Sequence, residues 1–328
     1  IAAVAILTFV TIRENVPICH VLIPSQPSMS SQDLKGEAFK ASLPSLLKQH
    51  QIFPTHALGQ VFLHDEKVIQ FILETLAPAP TDTIVEIGAG PGIITKELAL
   101  HSERVIAVEI DRKFKKIHDV LMSDLKHPPH MIYEDARQVD YEPLLEDLKG
   151  RLLVFGNLPY YLTTELILTA LQRFPGMSKA LFMVEDKVSE RLLAKPGTKK
   201  YGTLSIATRL FGHWRYLRTV SRASFYPKPR ITSALLTLTP NEDESHKTIA
   251  CDPSFHRFLT SLFQYRRKTL QNALKLSGYW LDDDFGFEFQ KFKQDEQLSD
   301  EVRAEDLEAR QLASLFRMAQ FVRSAGLL

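Results

Sequence analysis

The sequence comprises 328 residues, of which 45% are hydrophobic and 24% charged, with a formal net charge of +1 at pH 7. This length and ordinary composition are typical of a soluble globular protein with one sizeable core and a second, small domain. Cys19 and Cys251 stand far apart in no CxxC pattern, and the eleven histidines form no metal-spaced cluster, which argues against a disulfide scaffold or a zinc site. We therefore expect a cytoplasmic protein without a bound metal.

The first 28 residues differ from the rest of the chain. Ile1 to Ile12 is apolar and uncharged, but it is too short to cross a bilayer and has no basic region ahead of it, as a secretory signal would need. We expect the natural start at Met29 and a partly disordered tail over residues 1–50. The alternative is a weak membrane-associating segment, which N-terminal sequencing of the native protein would test.

Hydrophobic periodicity, bounded by Gly and Pro, predicts alternating strands and helices in the middle of the chain, as in an open α/β sheet. The predicted strands are 83–87, 104–108, 130–133, 152–156, 180–184, 203–210, 214–220 and 233–238. The predicted helices are 41–49, 67–76, 93–100, 163–172, 187–194, 253–275 and 300–321. The predicted N-caps are Asp65 and either Thr163 or Thr164, and 282–284 is a predicted acidic loop.

A polar, acidic stretch over residues 239–245 marks a predicted domain boundary. We therefore expect an α/β domain over residues 51–240, whose last strands form an antiparallel hairpin at the sheet edge. A small helical domain over residues 241–328 would follow it.

A glycine-rich turn, Gly88-Ala-Gly90-Pro-Gly92, follows the first central strand directly and precedes a predicted helix. Glycines at such a turn allow positive φ and let a ligand approach the backbone, while the helix N-terminus supplies amide donors. The dinucleotide fingerprint GxGxxG would need glycine where Ile93 stands. The turn therefore favours a nucleoside ligand over a pyrophosphate.

The next three strands end in polar residues: Glu109, then Asp135, then Asn157. The carboxyl ends of parallel strands form the rim at which open α/β sheets bind ligands. Glu109 stands where such a sheet presents an acid to ribose hydroxyls, and Asp135 is placed to receive an adenine amino group. Each alone is more often a helix cap, but three on one rim beside the glycine turn predict a nucleoside site.

The segment Asn157-Leu158-Pro159-Tyr160 suggests what that site acts on. A purine amino group is a poor nucleophile because its lone pair is delocalised into the ring. The Asn157 side-chain oxygen and the backbone carbonyl before Pro159 could accept hydrogen bonds from such an amino group, and Tyr160 could stack on the base. The bland alternative is a proline-capped strand end with a core tyrosine.

Basic residues are concentrated in two acid-free stretches, although the net charge is small. Residues 191–241 contain ten Lys/Arg and no Asp/Glu, and residues 253–281 contain five. Acid-free runs of this length indicate a footprint for phosphates. The residues predicted to contact RNA are Arg222, Lys228, Arg230, Arg266, Arg267 and Lys268.

Taken in order, the motifs resemble those of the ribosomal RNA adenine dimethyltransferases (KsgA-like), over residues 55–280. The matching segments are Gly59-Gln60-x-Phe62-Leu63, Val85-Glu86-x-Gly88-x-Gly90-x-Gly92, Glu109, Asp135, Gly156–Tyr160, Pro196-Gly-x-Lys-x-Tyr-Gly202, Phe225-x-Pro-x-Pro229 and Arg266–Leu270. No single segment is specific, but their ordered combination is. The resemblance implies a Rossmann-like methyltransferase sheet with a small C-terminal helical domain that binds RNA.

The resemblance also implies an activity: dimethylation, dependent on S-adenosyl-L-methionine, of two adjacent adenosines near the 3′ end of small-subunit rRNA. It implies a monomer that acts on that RNA or on the assembling small subunit, with no membrane partner. The implied cofactor contacts are Val61, Leu63, Gly88, Gly90, Glu109, Asp135 and Asn157. The implied catalytic residues are Asn157, Leu158, Pro159, Tyr160 and Phe225, of which Tyr160 and Phe225 sandwich the target base.

Two departures from the family pattern stand beside this resemblance. Val61 replaces the usual Asn or His, so a side-chain contact to the cofactor is lost there while a backbone contact survives. In residues 184–188 the order of the charged residues differs from the family's usual pattern. Alternatives that stay open are a large-subunit rRNA methyltransferase of the antibiotic-resistance type, a DNA adenine methyltransferase and a non-enzymatic ribosome or transcription factor. A dehydrogenase is disfavoured by Ile93.

Overall fold

A computed structural model describes residues 43–55, 59–280 and 282–325. Almost all of the predicted tail, including Met29 and Cys19, lies outside the described residues. From Leu43 onward the described chain forms one compact unit. No helix within the described residues is long and apolar enough to cross a membrane.

The elements alternate in the central part of the chain and become helical at its end. The strands are β1 Phe62–Leu63, β2 Thr83–Ile87, β3 Arg104–Val108, β4 His130–Ile132, β5 Leu152–Asn157, β6 Lys179–Glu185, β7 Gly212–Val220, β8 Phe225–Tyr226 and β9 Ser233–Pro240. The first helices are α1 Leu43–Gln49, α2 Glu66–Leu76, α3 Ile93–His101, α4 Lys115–Leu121, α5 Thr163–Arg173, α6 Asp186–Leu192 and α7 Thr203–Phe211. The last helices are α8 Glu244–Cys251, α9 Pro253–Phe263, α10 Leu270–Leu276, α11 Asp283–Asp295 and α12 Ala309–Ala325.

Seven of the strands form one mixed sheet in the order β4-β3-β2-β5-β6-β9-β7. The first five are parallel, and β9 runs antiparallel to both β6 and β7. The chain builds outward from β2 through β3 and β4, then returns to place β5 on the other side of β2. This reversal of strand order is the switch point at which open α/β sheets bind ligands.

Both faces of the sheet are buried, which explains why its central strands are continuously apolar. One core cluster includes residues of α2, α3 and α4, such as Ile72, Leu98 and Ile117. The cluster on the opposite face continues without interruption from α5 and α7 into the C-terminal helices, where Phe258 and Phe316 are buried. The α/β class and the antiparallel pairing of the last two long strands, β7 and β9, are therefore as predicted.

The predicted strand at 203–210 is wrong, because this segment is helix α7. Residues Leu204–Thr208, Leu210 and Phe211 are all buried. The segment is only nine residues long and mostly apolar, and a short run of this kind cannot be assigned to a strand or a helix from the sequence pattern alone.

Other local predictions also need correction, among them the predicted helix at 300–321, which begins only at Ala309 as α12. The predicted helix at 253–275 is two helices, α9 and α10, because Thr269 forms a β-bridge with Arg303 between them. Asp282 is the N-cap of α11 and accepts from the Phe285 amide at 2.8 Å, so the acidic loop is the start of a helix.

Neither threonine caps α5, since the N-cap position is Leu162. The Thr163 hydroxyl instead donates to the Pro159 carbonyl at 2.9 Å. By contrast, Asp65 caps α2 as predicted, accepting from the Lys67 amide at 3.1 Å.

Candidate active site

A cavity opens at the carboxyl ends of β2, β3 and β5, beside the glycine turn. It encloses about 750 Å³ of empty space, counted out to its mouth and including open solvent. Its wall contains eight of the residues predicted from the sequence, namely Val61, Gly88, Gly90, Glu109, Asp135, Asn157, Leu158 and Pro159. Leu63, Tyr160 and Phe225, which were predicted with them, lie outside this wall.

The glycine turn approaches the cavity closely at Gly90. Its φ is +54°, in the left-handed region that glycine tolerates. A Cβ at this position would lie 2.9 Å from the Phe62 ring, so a larger residue would also collide with the neighbouring wall. The turn delivers the chain to the N-terminus of α3, where amide groups point outward.

Glu109, at the end of β3, holds this turn in place. One carboxyl oxygen accepts from the Gly90 amide at 2.7 Å, and the other accepts from the Asp111 amide at 2.9 Å. Burial raises the pKa of Glu109, while these two backbone donors oppose the rise. A carboxylate has further lone pairs beyond those two bonds. Glu109 is thus available to hydroxyl donors in the cavity.

Asp135 supplies a second acceptor to the cavity. Arg137 clamps its carboxylate with a 2.7 Å ion pair, and this partner lowers the pKa of Asp135. The same guanidinium contacts Glu165 at 2.5 Å on α5. Asp135 is therefore held as an ionised acceptor of fixed orientation.

Glu86 lies beneath the turn rather than in the cavity. It is fully enclosed on β2, and burial raises its pKa to about 8. The Thr95 hydroxyl donates to its carboxyl at 2.5 Å and so links β2 to α3. This buried carboxyl helps to join the elements that frame the turn.

Asn157 projects from the end of β5 with its amide orientation defined. Its side-chain nitrogen donates to the Val61 backbone oxygen at 3.1 Å. Since a carbonyl only accepts, the amide nitrogen must face Val61, and the side-chain oxygen takes the other position. The contact uses the backbone of Val61, so it does not depend on which side chain stands there.

A second acceptor lies next to Asn157 in the same segment. The Leu158 amide donates to the Met183 oxygen at 3.1 Å, and the Pro159 oxygen accepts from the Leu162 amide at 3.1 Å. Among the residues that the structure describes, none donates to the Leu158 carbonyl. This carbonyl and the Asn157 side-chain oxygen are the two acceptors that the sequence analysis predicted for an amino group.

The predicted base-stacking residues are placed differently. The Tyr160 hydroxyl lies 3.0 Å from the Ser233 hydroxyl, and burial raises the pKa of Tyr160, which keeps the phenol neutral. Phe225 is 3% exposed and pairs with Leu63 across the two-stranded sheet β1–β8, behind the wall. A base sandwiched between Tyr160 and Phe225 would need the Phe225 ring to move, and both stacking roles stay predictions.

Two exposed residues of the cavity wall were not predicted from the sequence. Tyr161 and Ile110 are 56% and 53% exposed, although both contribute to the wall. An exposed apolar side chain beside a cavity is a candidate ligand contact. Their positions in the sequence could have indicated them, because Tyr161 directly follows the predicted Tyr160 and Ile110 directly follows the predicted Glu109.

The charge of the cavity restricts its ligand. Among the described residues that line the cavity, Glu109, Glu134 and Asp135 are acidic, and none is Lys or Arg. Phosphate groups are ordinarily bound through such cations. The wall therefore fits a nucleoside with hydroxyl and amino donors, with or without a positive charge, better than a ligand with several phosphates.

The predicted RNA contacts are grouped at two places on the surface. Arg222, Lys228 and Arg230 are exposed in the segment between β7 and β9, and Arg222 donates to the Arg230 oxygen at 3.1 Å. Within this segment β8 pairs with β1, which is adjacent to the cavity wall. Arg267 and Lys268 are exposed between α9 and α10.

Arg266 is engaged within the protein. Its guanidinium forms an ion pair with Glu305, with one contact of 2.7 Å, and donates to the Lys199 and Thr198 carbonyls. The Gly197 amide donates to the backbone oxygen of Glu305 at 2.7 Å. The loop over residues 195–202, which carries the Pro-Gly-x-Lys-x-Tyr-Gly motif, is thus fastened to the C-terminal helical part.

Comparison of the sequence with known proteins identifies one family. The sequence profile of the family described as "Ribosomal RNA adenine dimethylase" matches residues 55–320. The chain is 34% identical over 267 residues to the Ribosomal RNA small subunit methyltransferase A of Deinococcus radiodurans, covering 81% of this chain and 86% of that protein. Identity to the protein of the same name from Syntrophus aciditrophicus is 34% over 273 residues, covering 82% and 95%.

Two solved structures share the fold. A dimethyladenosine transferase from Plasmodium falciparum superposes with a TM-score of 0.63 at 20% identity, covering 80% of this chain and 98% of that one. The 23S rRNA methyltransferase ErmE gives a TM-score of 0.54 at 21% identity, covering 79% and 99%. These likenesses confirm the predicted Rossmann-like methyltransferase fold.

Proposed function

The chain belongs to the ribosomal RNA adenine dimethylase family, and from that premise we propose that it dimethylates two adjacent adenosines near the 3′ end of small-subunit rRNA. As a member of this family it is a methyltransferase. The finer elements of the proposal are the methyl donor, S-adenosyl-L-methionine, the identity of the RNA, and the residues that act on each.

The observation that carries the proposal is the pair of acceptors at the end of β5. The Asn157 side-chain oxygen is oriented by the bond from its nitrogen to Val61, and the Leu158 carbonyl stands next to it. Two acceptors can receive both hydrogens of an adenine amino group. They would hold its nitrogen lone pair out of the ring and directed along the path of transfer. Pro159 makes the segment rigid, so that the acceptors are already in place before substrate binds.

The cavity wall fits S-adenosyl-L-methionine. Glu109 offers carboxylate lone pairs to ribose hydroxyls, Asp135 is an ionised acceptor for an adenine amino group, and the apolar side chains of Ile110 and Val108 can flank a purine ring. The acids and the absence of Lys and Arg among the described wall residues suit a cationic nucleoside. When bound, the cofactor supplies an activated methyl group on a sulfonium.

The roles of this chain's residues follow from that arrangement. Because the methyl group is already activated, the residues act chiefly by positioning the amine and excluding water. Asn157 and Leu158 hold the amine, and Tyr160, as a neutral phenol, can stack on the base. Stacking of about 1–3 kcal/mol per base would offset the cost of unstacking the adenine from its RNA.

The small-subunit assignment is supported by the two relatives at 34% identity, whose names specify that RNA. We propose that Arg222, Lys228 and Arg230 beside the cavity, with Arg267 and Lys268 on the helical part over residues 241–328, contact the RNA backbone. Arg266 was also predicted to contact RNA, but its guanidinium is paired with Glu305, and we propose that it instead fixes the loop over residues 195–202. Small-subunit rRNA and the assembling small subunit are the two forms of substrate that we propose.

The experiment is a comparison of methyl transfer to matched substrates. Purified protein is incubated with labelled S-adenosyl-L-methionine and undermethylated small subunits, small-subunit RNA, large-subunit RNA or DNA, and the products are digested to nucleosides. We expect N6,N6-dimethyladenosine from the small-subunit substrates alone. Label in large-subunit RNA or DNA would assign one of the alternative methyltransferase functions. Cofactor binding without transfer to any substrate would support a non-enzymatic role.

A further inference from the structure

A buried histidine lies directly behind the glycine turn, outside the cavity. His118, on α4, is 1% exposed. Its Nε2 atom lies 2.8 Å from the Gly90 oxygen, and its Nδ1 atom lies 2.8 Å from the Tyr133 hydroxyl. Both ring nitrogens are therefore engaged, one with the turn and one with the residue that follows β4.

The partners determine where the proton sits on this imidazole. The Gly90 carbonyl only accepts, so Nε2 must carry the hydrogen. Burial lowers the pKa of His118, and among its charged neighbours Asp119 opposes this shift while Lys115 reinforces it. The neutral ring then has a bare Nδ1, to which the Tyr133 hydroxyl donates. The result is a directed chain of hydrogen bonds from Tyr133 through His118 to Gly90.

The Gly90 residue is consequently held from two sides. Its amide donates to Glu109 at 2.7 Å, and its carbonyl accepts from His118 at 2.8 Å. These bonds define the rotation of both peptide groups that flank Gly90, a residue whose own backbone is unusually free. His118 also limits the turn by contact, since a Cβ at Gly92 would lie 2.8 Å from its Cδ2 atom.

We propose that His118, oriented by Tyr133, is a positioning residue that holds the Gly90 turn in the conformation that binds the cofactor. It contributes to cofactor affinity although it does not belong to the cavity wall. The inference rests on the proposed function, because that function identifies the ligand of the turn. It predicts an effect on cofactor binding and little effect on methyl transfer once the cofactor is bound.

Two substitutions separate the halves of this hydrogen-bond chain. In His118→Gln the amide nitrogen falls near the position of Nε2 and can still donate to Gly90. In His118→Asn the shorter amide falls near Nδ1, so it can accept from Tyr133 but does not reach Gly90. Tyr133→Phe removes only the donor that orients the ring. His213→Asn, on the exposed face of β7, is a matched control for the same chemical change.

We expect His118→Asn to raise the Kd for S-adenosyl-L-methionine about 10-fold, because a buried carbonyl loses its donor. We expect His118→Gln to stay within about 3-fold of the wild type and Tyr133→Phe to raise the Kd about 3-fold, since their donors to Gly90 are kept. Calorimetry measures the Kd, and steady-state transfer to undermethylated small subunits separates KM for the cofactor from kcat. The expected pattern is a raised KM with kcat within about 2-fold.

Equal losses in His118→Asn and His118→Gln would overturn the proposal, because only the glutamine variant keeps a donor to the Gly90 carbonyl. So would a fall in kcat at unchanged KM. If His118→Asn does not fold, the comparison of Tyr133→Phe with the wild type decides, together with ¹⁵N chemical shifts of the imidazole, which should show the Nε2-protonated form. Wild-type protein that fails to bind the cofactor would overturn the proposed function as well, whereas active wild type with unaffected variants would overturn this inference alone.

Discussion

The side-chain nitrogen of Asn157 donates a hydrogen bond to the backbone oxygen of Val61 at 3.1 Å, across 96 positions of sequence. The bond joins the end of β5 to the residue just before β1, so it links the two segments that close the cavity. It also explains how a chain with valine at position 61 can keep the orientation of the Asn157 side chain. The acceptor is a backbone atom that every residue provides.

Asn157→Asp tests this orientation without changing the size of the side chain. A carboxylate retains an acceptor oxygen, but it cannot donate to the Val61 carbonyl and is repelled by it. We expect kcat for methyl transfer to fall by about 10²–10³, the loss seen when one preorganised polar partner is removed. Asn272→Asp, the same change at an exposed position of α10, is the control. Near-normal turnover of the Asn157 variant would refute its assigned role.

Glu86→Gln should change how stability depends on pH. Burial raises the pKa of Glu86 from 4.5 to about 8, so between these values the folded chain keeps a proton that the unfolded chain has released. The resulting stabilisation is fully present below pH 4.5 and is lost as the pH rises through about 8. Glutamine is neutral throughout and removes this dependence. From pH 5 to pH 9 we expect the wild-type free energy of unfolding to fall relative to the variant by about 2–4 kcal/mol.

Urea unfolding of both proteins at several pH values measures this difference. The Thr95 hydroxyl can donate to the glutamine oxygen as it does to the carboxyl. The fold should therefore be unchanged. Two curves that stay parallel between pH 5 and pH 9 would show that Glu86 ionises in the folded protein as it does in water.

Gly92→Ala should destabilise the turn at the start of α3. Gly92 has a φ of +86°, and a Cβ there would lie 2.8 Å from His118 and 2.9 Å from Met122. Strained backbone and overpacking together should lower the free energy of unfolding by about 2–4 kcal/mol. Gly176→Ala is the matched control, because its Cβ meets nothing within 4 Å. Equal melting temperatures for the two variants would contradict this account.

Lys228→Gln and Arg266→Gln should separate RNA binding from folding. Lys228 is exposed in the segment between β7 and β9, and its loss should reduce the slope of log K against log salt by about 1. Arg266 is paired with Glu305 in the free protein, so its loss should lower the free energy of unfolding by about 1–2 kcal/mol and leave the slope unchanged. RNA titrations at several salt concentrations and urea unfolding measure the two effects. A reduced slope for Arg266→Gln would restore it as a phosphate contact.

The sequence predicted the central sheet well because its strands are buried on both faces and end at recognisable residues. The strand ends at Glu109, Asp135 and Asn157 do meet at one cavity. The prediction of a strand at α7 failed because this segment is short and mostly apolar, and such a run fits a buried strand as well as a buried helix. The network of His118 and Tyr133 was also beyond prediction, since nothing in the pattern of α4 shows which side chain turns toward Gly90.

Arg266 engages the loop over residues 195–202, and the buried Tyr201 hydroxyl donates to the Leu307 oxygen at 2.9 Å. Together with the continuous core beneath them, these contacts mean that the C-terminal helices are not an exchangeable module. Deleting them would uncover the apolar side chains of α7 and leave Arg266's partners unpaired. Substrate preference could therefore be altered during evolution by changing surface residues of these helices, but recombination that replaced the whole segment would require compensating changes in α7.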